Sequence, residues 1–220
     1  MASLVIGASG GIGGAVAAAL EARGEAVVRL SRTRGDFDFA RPASVAGVLE
    51  AIDGPFERVI VATGQLDGAG RPPEKSLGAL TAEAMADQFA VNAIGPALIL
   101  RALPRLLPRD RPARVAVLTA RVGSIGDNKM GGWYAYRAAK AAANQIVRTA
   151  AVELARTHKH VCLVAYHPGT VATGFTAQYQ GRHHTVSPDE AAQNLLRVVD
   201  GLDATRTGRF YDWRGDEVAW

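Results

Sequence analysis

Five short runs of Val, Ile, Leu and Ala recur along the chain: Leu4–Ile6, Ala26–Leu30, Val59–Ala62, Val115–Leu118 and Val161–Tyr166. They are apolar at consecutive rather than alternate positions, the pattern of strands covered on both faces. Between them lie segments with apolar residues at helical spacing: Val16/Leu20, Val45/Val48/Leu49/Ile52 and Val147/Ala151/Leu154. Parallel neighbours need crossover helices, and sheets built this way are covered on both sides. The expected fold class is therefore α/β, a doubly wound parallel sheet in a three-layer αβα sandwich. The length of 220 residues suits one domain over 1–220. With 48% hydrophobic and 21% charged residues, a disordered or collagen-like chain is excluded. A net charge of +4 is too small to demand nucleic acid. Cys162 is the only cysteine, which excludes an internal disulfide and a cysteine-rich metal site and makes the cytoplasm the expected location. Met1-Ala2-Ser3 runs directly into the first apolar run, so neither a signal peptide nor a transmembrane segment is expected, and no metal is expected anywhere.

The first run leads into Gly7-Ala8-Ser9-Gly10-Gly11-Ile12-Gly13 and then into an alanine-rich helix, Ala15 to Ala22. Glycines permit a tight turn and let backbone N–H groups reach a pyrophosphate, whose charge a helix N-terminus favours. In isolation such a stretch is a flexible turn. Placed between the first strand and the first helix, it points to dinucleotide binding. The second run ends in Ser31-Arg32, followed by Thr33 and Arg34. An acid there would bond the ribose diol of NAD, whereas a hydroxyl and an arginine offer donors to a 2′-phosphate. NADP(H) is the expected cofactor. A solvated arginine is the alternative, because Asp36 and Asp38 follow closely and can partly reverse the preference.

Tyr136 and Lys140 stand four residues apart, on one face of a helix expected over about 133–157. The pair alone is weak evidence, since Y-x-x-x-K arises by chance on many surfaces. Its position is what matters: the helix follows the fourth apolar run and a glycine-rich loop, Ala120 to Gly132, so its start faces the crevice at the strand ends. An ammonium and an oxidised nicotinamide would both lower the phenol's pKa and make Tyr136 a proton donor or acceptor near neutrality. A further helix is expected from Thr81 to about Leu107. Pro96 inside it lacks an N–H and removes the bond to the carbonyl of Asn92, predicting a kink whose free carbonyl accepts a water linked to Lys140. The alternative is a helix that ends near Val91 and restarts at Pro96. Ser187-Pro188-Asp189-Glu190 is a capping box that starts a late helix over about 187–200.

Together, Gly7 to Gly13, Asn92, Tyr136 with Lys140, and Pro168-Gly169-Thr170-Val171-Ala172-Thr173 resemble the short-chain dehydrogenase/reductase family over essentially the whole chain. The strings Arg121 to Asn128, Gly131 to Tyr134 and Gly208 to Trp213 are most similar to its C-factor and sniffer-like carbonyl reductase branch. The resemblance implies a Rossmann-type fold and an NADP(H)-dependent oxidoreductase acting on a small or medium carbonyl or alcohol. It also implies a homodimer or homotetramer formed through the long helices. In it, Tyr136 is the acid/base, Lys140 holds the nicotinamide ribose, and Asn92 anchors a proton-relay water. The cofactor lies along Gly7, Ser9, Gly11, Ile12, Gly13, Ser31, Arg32, Asp38, Phe39, Ala62, Thr63 and Gly64, and the segment Pro168, Gly169, Val171 and Thr173 closes on the nicotinamide.

The sequence departs from the family pattern at the catalytic serine, whose place is taken by Ala120 in Thr119-Ala120-Arg121-Val122-Gly123. Alanine cannot polarise a carbonyl, so the role falls to Ser124, to Thr119, or to no side chain. Ser124, in the loop over the crevice, is the favoured candidate. The departure and the C-factor likeness keep a second reading open, a cofactor-binding signalling protein with weak or no reductase activity. His158 and His160 read as solvated, His183 and His184 as part of an exposed loop. Arg101, Arg105, Arg109, Arg111 and Arg114 read as a solvated basic face, while Trp133, Tyr134 and Phe175 line the substrate site or core.

Overall fold

In the computed structural model, which describes residues 1–33, 37–39, 41–179 and 184–220, the consecutive apolar runs become strands and the three-and-four spacings become helices. Arg34, Asp36 and His183 lie outside the described residues. The order is β1 (Ala2–Ile6), α1 (Gly11–Ala22), β2 (Ala26–Leu30), α2 (Pro42–Glu50), β3 (Arg58–Val61), α3 (Ala82–Phe89), α4 (Gly95–Leu106) and β4 (Ala113–Leu118). Then come α5 (Tyr134–Leu154), β5 (Val161–His167), the two-residue strands β6 (Thr170–Val171) and β7 (Thr185–Val186), α6 (Pro188–Asp200) and β8 (Phe210–Asp212). Among the described residues the main sheet has the order β2-β1-β3-β4-β5-β8, and every pairing in it is parallel.

Alternate residues of each strand feed two cores. Leu4, Ile6, Val59, Val115 and Leu163 pack against Ile99, Leu103 and Leu106 of α4 and Val147 and Leu154 of α5. Val5, Ile60, Ala116, Val164 and Tyr166 pack against Val16 and Leu20 of α1 and Leu195 and Leu196 of α6. Each of the Val, Leu and Ile side chains contributes about 1.5–3 kcal/mol on burial, and a one-residue slip of a strand would exchange both sets at once. The chain runs from β1 out to β2 and then returns to the other side of β1 for β3. This reversal opens a crevice beyond the strand ends, between the segments after β1 and β3.

The helix holding Asn92 changes character at the place where the kink is expected. Ala90–Ile94 form a π turn that joins α3 to α4, with Gly95 N–H donating to Ala90 five residues back. Pro96 falls in the first turn of α4 and has no N–H to offer Asn92. A widened turn of this kind is often found at functional sites. The combined run Ala82–Leu106 is long and apolar enough to cross a bilayer by length and composition. Ile99, Leu103 and Leu106 in its second half are fully buried against the sheet.

The structure adds a strand to the expected sheet and corrects the reading of one histidine. β8 is a three-residue strand too short to leave a periodic signal, yet it extends the sheet beyond β5. His158 is buried, not solvated: its Nε2 lies 3.2 Å from the carbonyl of Pro104 and its Nδ1 2.8 Å from Thr157 Oγ1. The late helix starts as read, with Ser187 Oγ accepting from Glu190 N–H at 3.1 Å.

Candidate active site

The turn after β1 is shaped by closeness rather than by flexibility. Gly7 has φ +89°, and a Cβ there would stand 2.6 Å from the Ala62 carbonyl oxygen. At Gly13 a Cβ would stand 2.3 Å from the Gly7 carbonyl oxygen and 3.2 Å from Ala62 Cβ. The turn is therefore pressed against the end of β3, and the N-terminus of α1 begins at Gly10 with no side-chain cap. Ser9, Gly10 and Gly11 are exposed, so first-turn N–H groups face the crevice, as a pyrophosphate requires. At the end of β2, Ser31 Oγ and Thr33 Oγ1 are 3.1 Å apart. Arg32 is exposed and has no hydrogen bond or ion pair among the described residues. Asp38 pairs with Arg41 at 3.5 Å, and Phe39 packs edge-on to Phe37 and against Gly95. Just past β3, Thr63 Oγ1 is buried without a partner among the described residues. A glycine cradle, an uncapped helix start, an orphaned hydroxyl and a free guanidinium together fit a phosphorylated dinucleotide.

Tyr136 and Lys140 both lie on the buried face of α5, at 5% and 3% exposure. Lys140 Nζ sits 5.8 Å from the centre of the Tyr136 ring and donates to the Leu118 carbonyl at 3.3 Å. A Cβ at Gly64 would lie 3.3 Å from Lys140 Nζ and 3.1 Å from Asn92 Oδ1, so these three residues converge at the crevice. Asn92 is fully buried and braced from both sides. Its Nδ2 donates to Gln65 O at 2.8 Å and Gln88 Oε1 at 2.5 Å, while its Oδ1 accepts from Gln65 N–H at 3.2 Å. In the protein alone burial governs both titrating groups, because a charge removed from water loses its solvation. The phenol of Tyr136 is pushed above its usual range and the Lys140 ammonium is pulled down to about 8.

At the end of β4 the missing serine shows in the packing: Ala120 joins Leu66 and Tyr136 in one apolar cluster. Thr119 Oγ1 is buried without a partner among the described residues. Ser124 is 2% exposed, and its Oγ accepts from Asp127 N–H at 3.1 Å, which leaves its own proton for a further acceptor. Arg121 ties this loop down through Asp127 at 2.6 Å and Asp212 at 3.5 Å. Beyond β5, Gly169 has φ +78°, where a Cβ would stand 3.0 Å from Trp213 Cδ1. Thr173 lies over the glycine turn, its Cγ2 2.5 Å from where a Gly11 Cβ would be. Pro168 and Val171 carry the chain between these points. Phe175 brings its ring centre within 6.4 Å of Tyr136, and Trp133 comes within 6.0 Å on another side.

Beside Tyr136 opens a cavity of about 390 Å3, lined by Leu66, Arg71, Glu74, Gln88 and Ala135 among others. The residues that shape it were not singled out from the sequence. Gln88 carries a faint signal, one helical turn before Asn92. Glu74 carries none, because it acts across 61 residues. Asn144, one turn beyond Lys140, has a buried amide with no partner among the described residues, and His167 at the end of β5 has an unpartnered Nδ1. Burial takes the His167 imidazole down to about 4.

A three-layer sheet with a glycine turn at its topological switch, and a Tyr–Lys pair opposite that turn, defines an oxidoreductase of the dinucleotide-binding class. The short chain dehydrogenase family profile matches residues 2–183, and the chain belongs to that family. It is 33% identical over 99% of its length, and 98% of the relative's, to a 1-hydroxy-2-glutathionyl-2-methyl-3-butene dehydrogenase of Rhodococcus sp.. It is 40% identical to the C-signal protein of Myxococcus xanthus over 62% of this chain and 78% of that one. Among solved structures, the NADPH-bound carbonyl reductase from chicken fatty liver superposes with a TM-score of 0.84, at 21% identity, over 100% and 98% of the two chains. A short-chain dehydrogenase/reductase from Burkholderia multivorans with bound NADP superposes at 0.77, with 25% identity and coverage of 100% and 99%.

Proposed function

We propose that the protein is an NADP(H)-dependent oxidoreductase that interconverts a small or medium carbonyl compound and its alcohol, with Tyr136 as acid/base. The observation that carries this reading is the convergence of Tyr136, Lys140, Asn92 and Gly64 at the mouth of the crevice that the glycine turn flanks. Gly7 to Gly13 would receive the pyrophosphate, Arg32 with Ser31 the 2′-phosphate, and Thr63 with Gly64 the nicotinamide side. When bound, the nicotinamide supplies or accepts the hydride.

In the reductive direction Tyr136 gives its proton to the carbonyl oxygen as charge develops there. Lys140, with its Nζ beside the phenol, favours the tyrosinate that remains. The proton is returned through the Asn92 carbonyl region and Lys140. Ser124, with its hydroxyl proton uncommitted, is the proposed donor to the substrate oxygen, and Thr119 is the alternative. The bound NADP of the Burkholderia protein supports the cofactor, and the name of the Rhodococcus relative, an alcohol carrying a glutathionyl group, supports the alcohol/carbonyl pair. We further infer that residues 1–220 work as one unit in the cytoplasm, as the buried free thiol of Cys162 suits, and that α4 and α5 mediate a homodimer or homotetramer.

The replacement of the family serine by Ala120 and the C-signal likeness favour one second reading, a nucleotide-binding signalling protein with little reductase activity. The test is NADPH oxidation, followed at the nicotinamide absorbance, with a carbonyl panel that includes aldehydes derived from glutathione adducts. Turnover of any member supports the enzyme. Tight NADPH binding with no turnover of any member supports the signalling reading.

A further inference from the structure

We propose that Glu74 is a positioning residue for Tyr136, closing the first turn of α5 from across the crevice; the inference rests on the reading of Tyr136 as acid/base. Helix α5 is reached through an awkward run of backbone: Gly131, Gly132 and Trp133 all have positive φ, at +65°, +65° and +55°. The left-handed Trp133 costs on the order of 1–3 kcal/mol and survives only where its surroundings hold it. Trp133, in the capping position, gives no side-chain cap, so the N–H groups of the first turn need acceptors from elsewhere.

Glu74 supplies two. Its main-chain oxygen accepts from Trp133 N–H at 2.5 Å, and its Oε2 accepts from Ala135 N–H at 3.2 Å. The residue is 7% exposed, so its carboxylate is held at this helix end and not merely passing over the surface. A negative charge there also complements the positive end of the helix. On the other side of the turn, Arg137 grips the Gly132 and Val122 carbonyls at 3.0 and 3.2 Å.

The consequence for chemistry lies in which part of α5 this clamp controls. Tyr136 follows Ala135 directly and sits in the first turn, the part of a helix that frays when uncapped. Lys140 is a turn deeper and is separately anchored on Leu118 O. Loss of the clamp therefore shifts the phenol relative to the ammonium and the crevice, while the groups that hold the cofactor stay in place. The 65–81 loop, through Glu74, thus carries part of the catalytic geometry, and Glu74 and Tyr136 both line the cavity.

The test uses the full chain with E74A, E74Q and E74D, reading kcat, NADPH affinity by nicotinamide fluorescence, and amide hydrogen exchange over residues 133–136. In E74A, kcat is expected to fall about tenfold or more while NADPH affinity stays within about twofold, since small misplacements of a reacting group are costly. The first-turn amides should exchange faster. E74Q keeps an acceptor for Ala135 N–H and should restore most of kcat. E74D, a methylene short, should show the loss if E74A does not fold. Wild-type kcat and wild-type protection in E74A or E74D overturn the inference, as does an E74Q impaired as deeply as E74A. Should Y136F match the wild type, or the wild type reduce no carbonyl, the acid/base reading fails, and exchange alone decides on the clamp: unchanged protection overturns it and faster exchange supports it.

Discussion

Gly13→Ala and Gly47→Ala make the same chemical change inside two helices and should move stability in opposite directions. Gly47 lies on the exposed side of α2, and a Cβ there meets nothing within 4 Å. Alanine at this position should stabilise by about 0.5–1 kcal/mol through helix propensity. At about 2–4 °C per kcal/mol for a chain of this size, Tm should rise by about 1–4 °C. At Gly13 the added carbon would stand 2.3 Å from the Gly7 carbonyl oxygen, where real contacts stay above 3.0 Å, so the carbonyl must retreat by about 0.7 Å. It has little freedom to do so. Gly7 N–H is bonded to Leu30 O at 2.9 Å and the neighbouring Ala62 N–H to Ile6 O at 2.7 Å, which pins the turn to two strands. Overpacking against backbone costs about 3 kcal/mol at the upper end. With about 1 kcal/mol regained from propensity, the net loss is about 2 kcal/mol and Tm falls by about 4–8 °C. Because the retreat deforms the proposed pyrophosphate cradle, NADPH affinity should also drop by about tenfold or more, about 1.4 kcal/mol. Thermal melts and fluorescence titrations on both variants read this directly. A Gly13→Ala protein that melts at or above the wild-type temperature and binds NADPH normally would refute the cradle.

Arg32→Ala should cut the preference for NADPH over NADH in kcat/KM by about 10- to 100-fold, the worth of hydrogen bonds to a charged group; an unchanged ratio contradicts the 2′-phosphate assignment. Ser124→Ala should lower kcat by about 10²–10³ if its hydroxyl steadies the substrate oxygen, with Thr119→Val within a few fold of wild type; the reverse pattern moves the role to Thr119. Lys140 gives a pH signature in the protein without cofactor. Its ammonium titrates at about 8 instead of near 10.5, because burial removes its solvation. Between those values the unfolded chain binds more protons, so wild-type stability should rise with pH from about 8 to about 10. Lys140→Met removes the cost of the buried charge, on the order of 3 kcal/mol at neutral pH, and its advantage should shrink over that window. A gap between the two denaturation curves that does not change with pH would contradict this.

What the sequence shows of the fold is what local pattern can carry. Consecutive apolar runs mark doubly covered strands, glycines mark the turn after β1, and Ser187 with Glu190 marks the start of α6. The Tyr136–Lys140 face is legible because a helix repeats every 3.6 residues, and the crevice because α/β sheets bind at strand ends. Features set by long-range packing are not legible in that way. His158 looks like an exposed turn residue until the Pro104 carbonyl arrives over it. Phe210–Asp212 become a strand only because β5 offers an edge. Pro96 announces a missing donor at Asn92 but not that the chain there takes up a π turn, which depends on how α3 and α4 seat on the sheet. Glu74 belongs to the same kind: nothing near residue 74 says that its carboxylate will meet a helix end 61 positions later.

The phenol of Tyr136 is the group whose removal tests the proposed chemistry most directly. Y136F should bind NADPH with wild-type affinity, because the ring stays buried at the same place. It should oxidise NADPH with a carbonyl the wild type reduces at least about 10²-fold more slowly, the range for loss of a positioned proton donor. Undiminished turnover in Y136F would contradict the account.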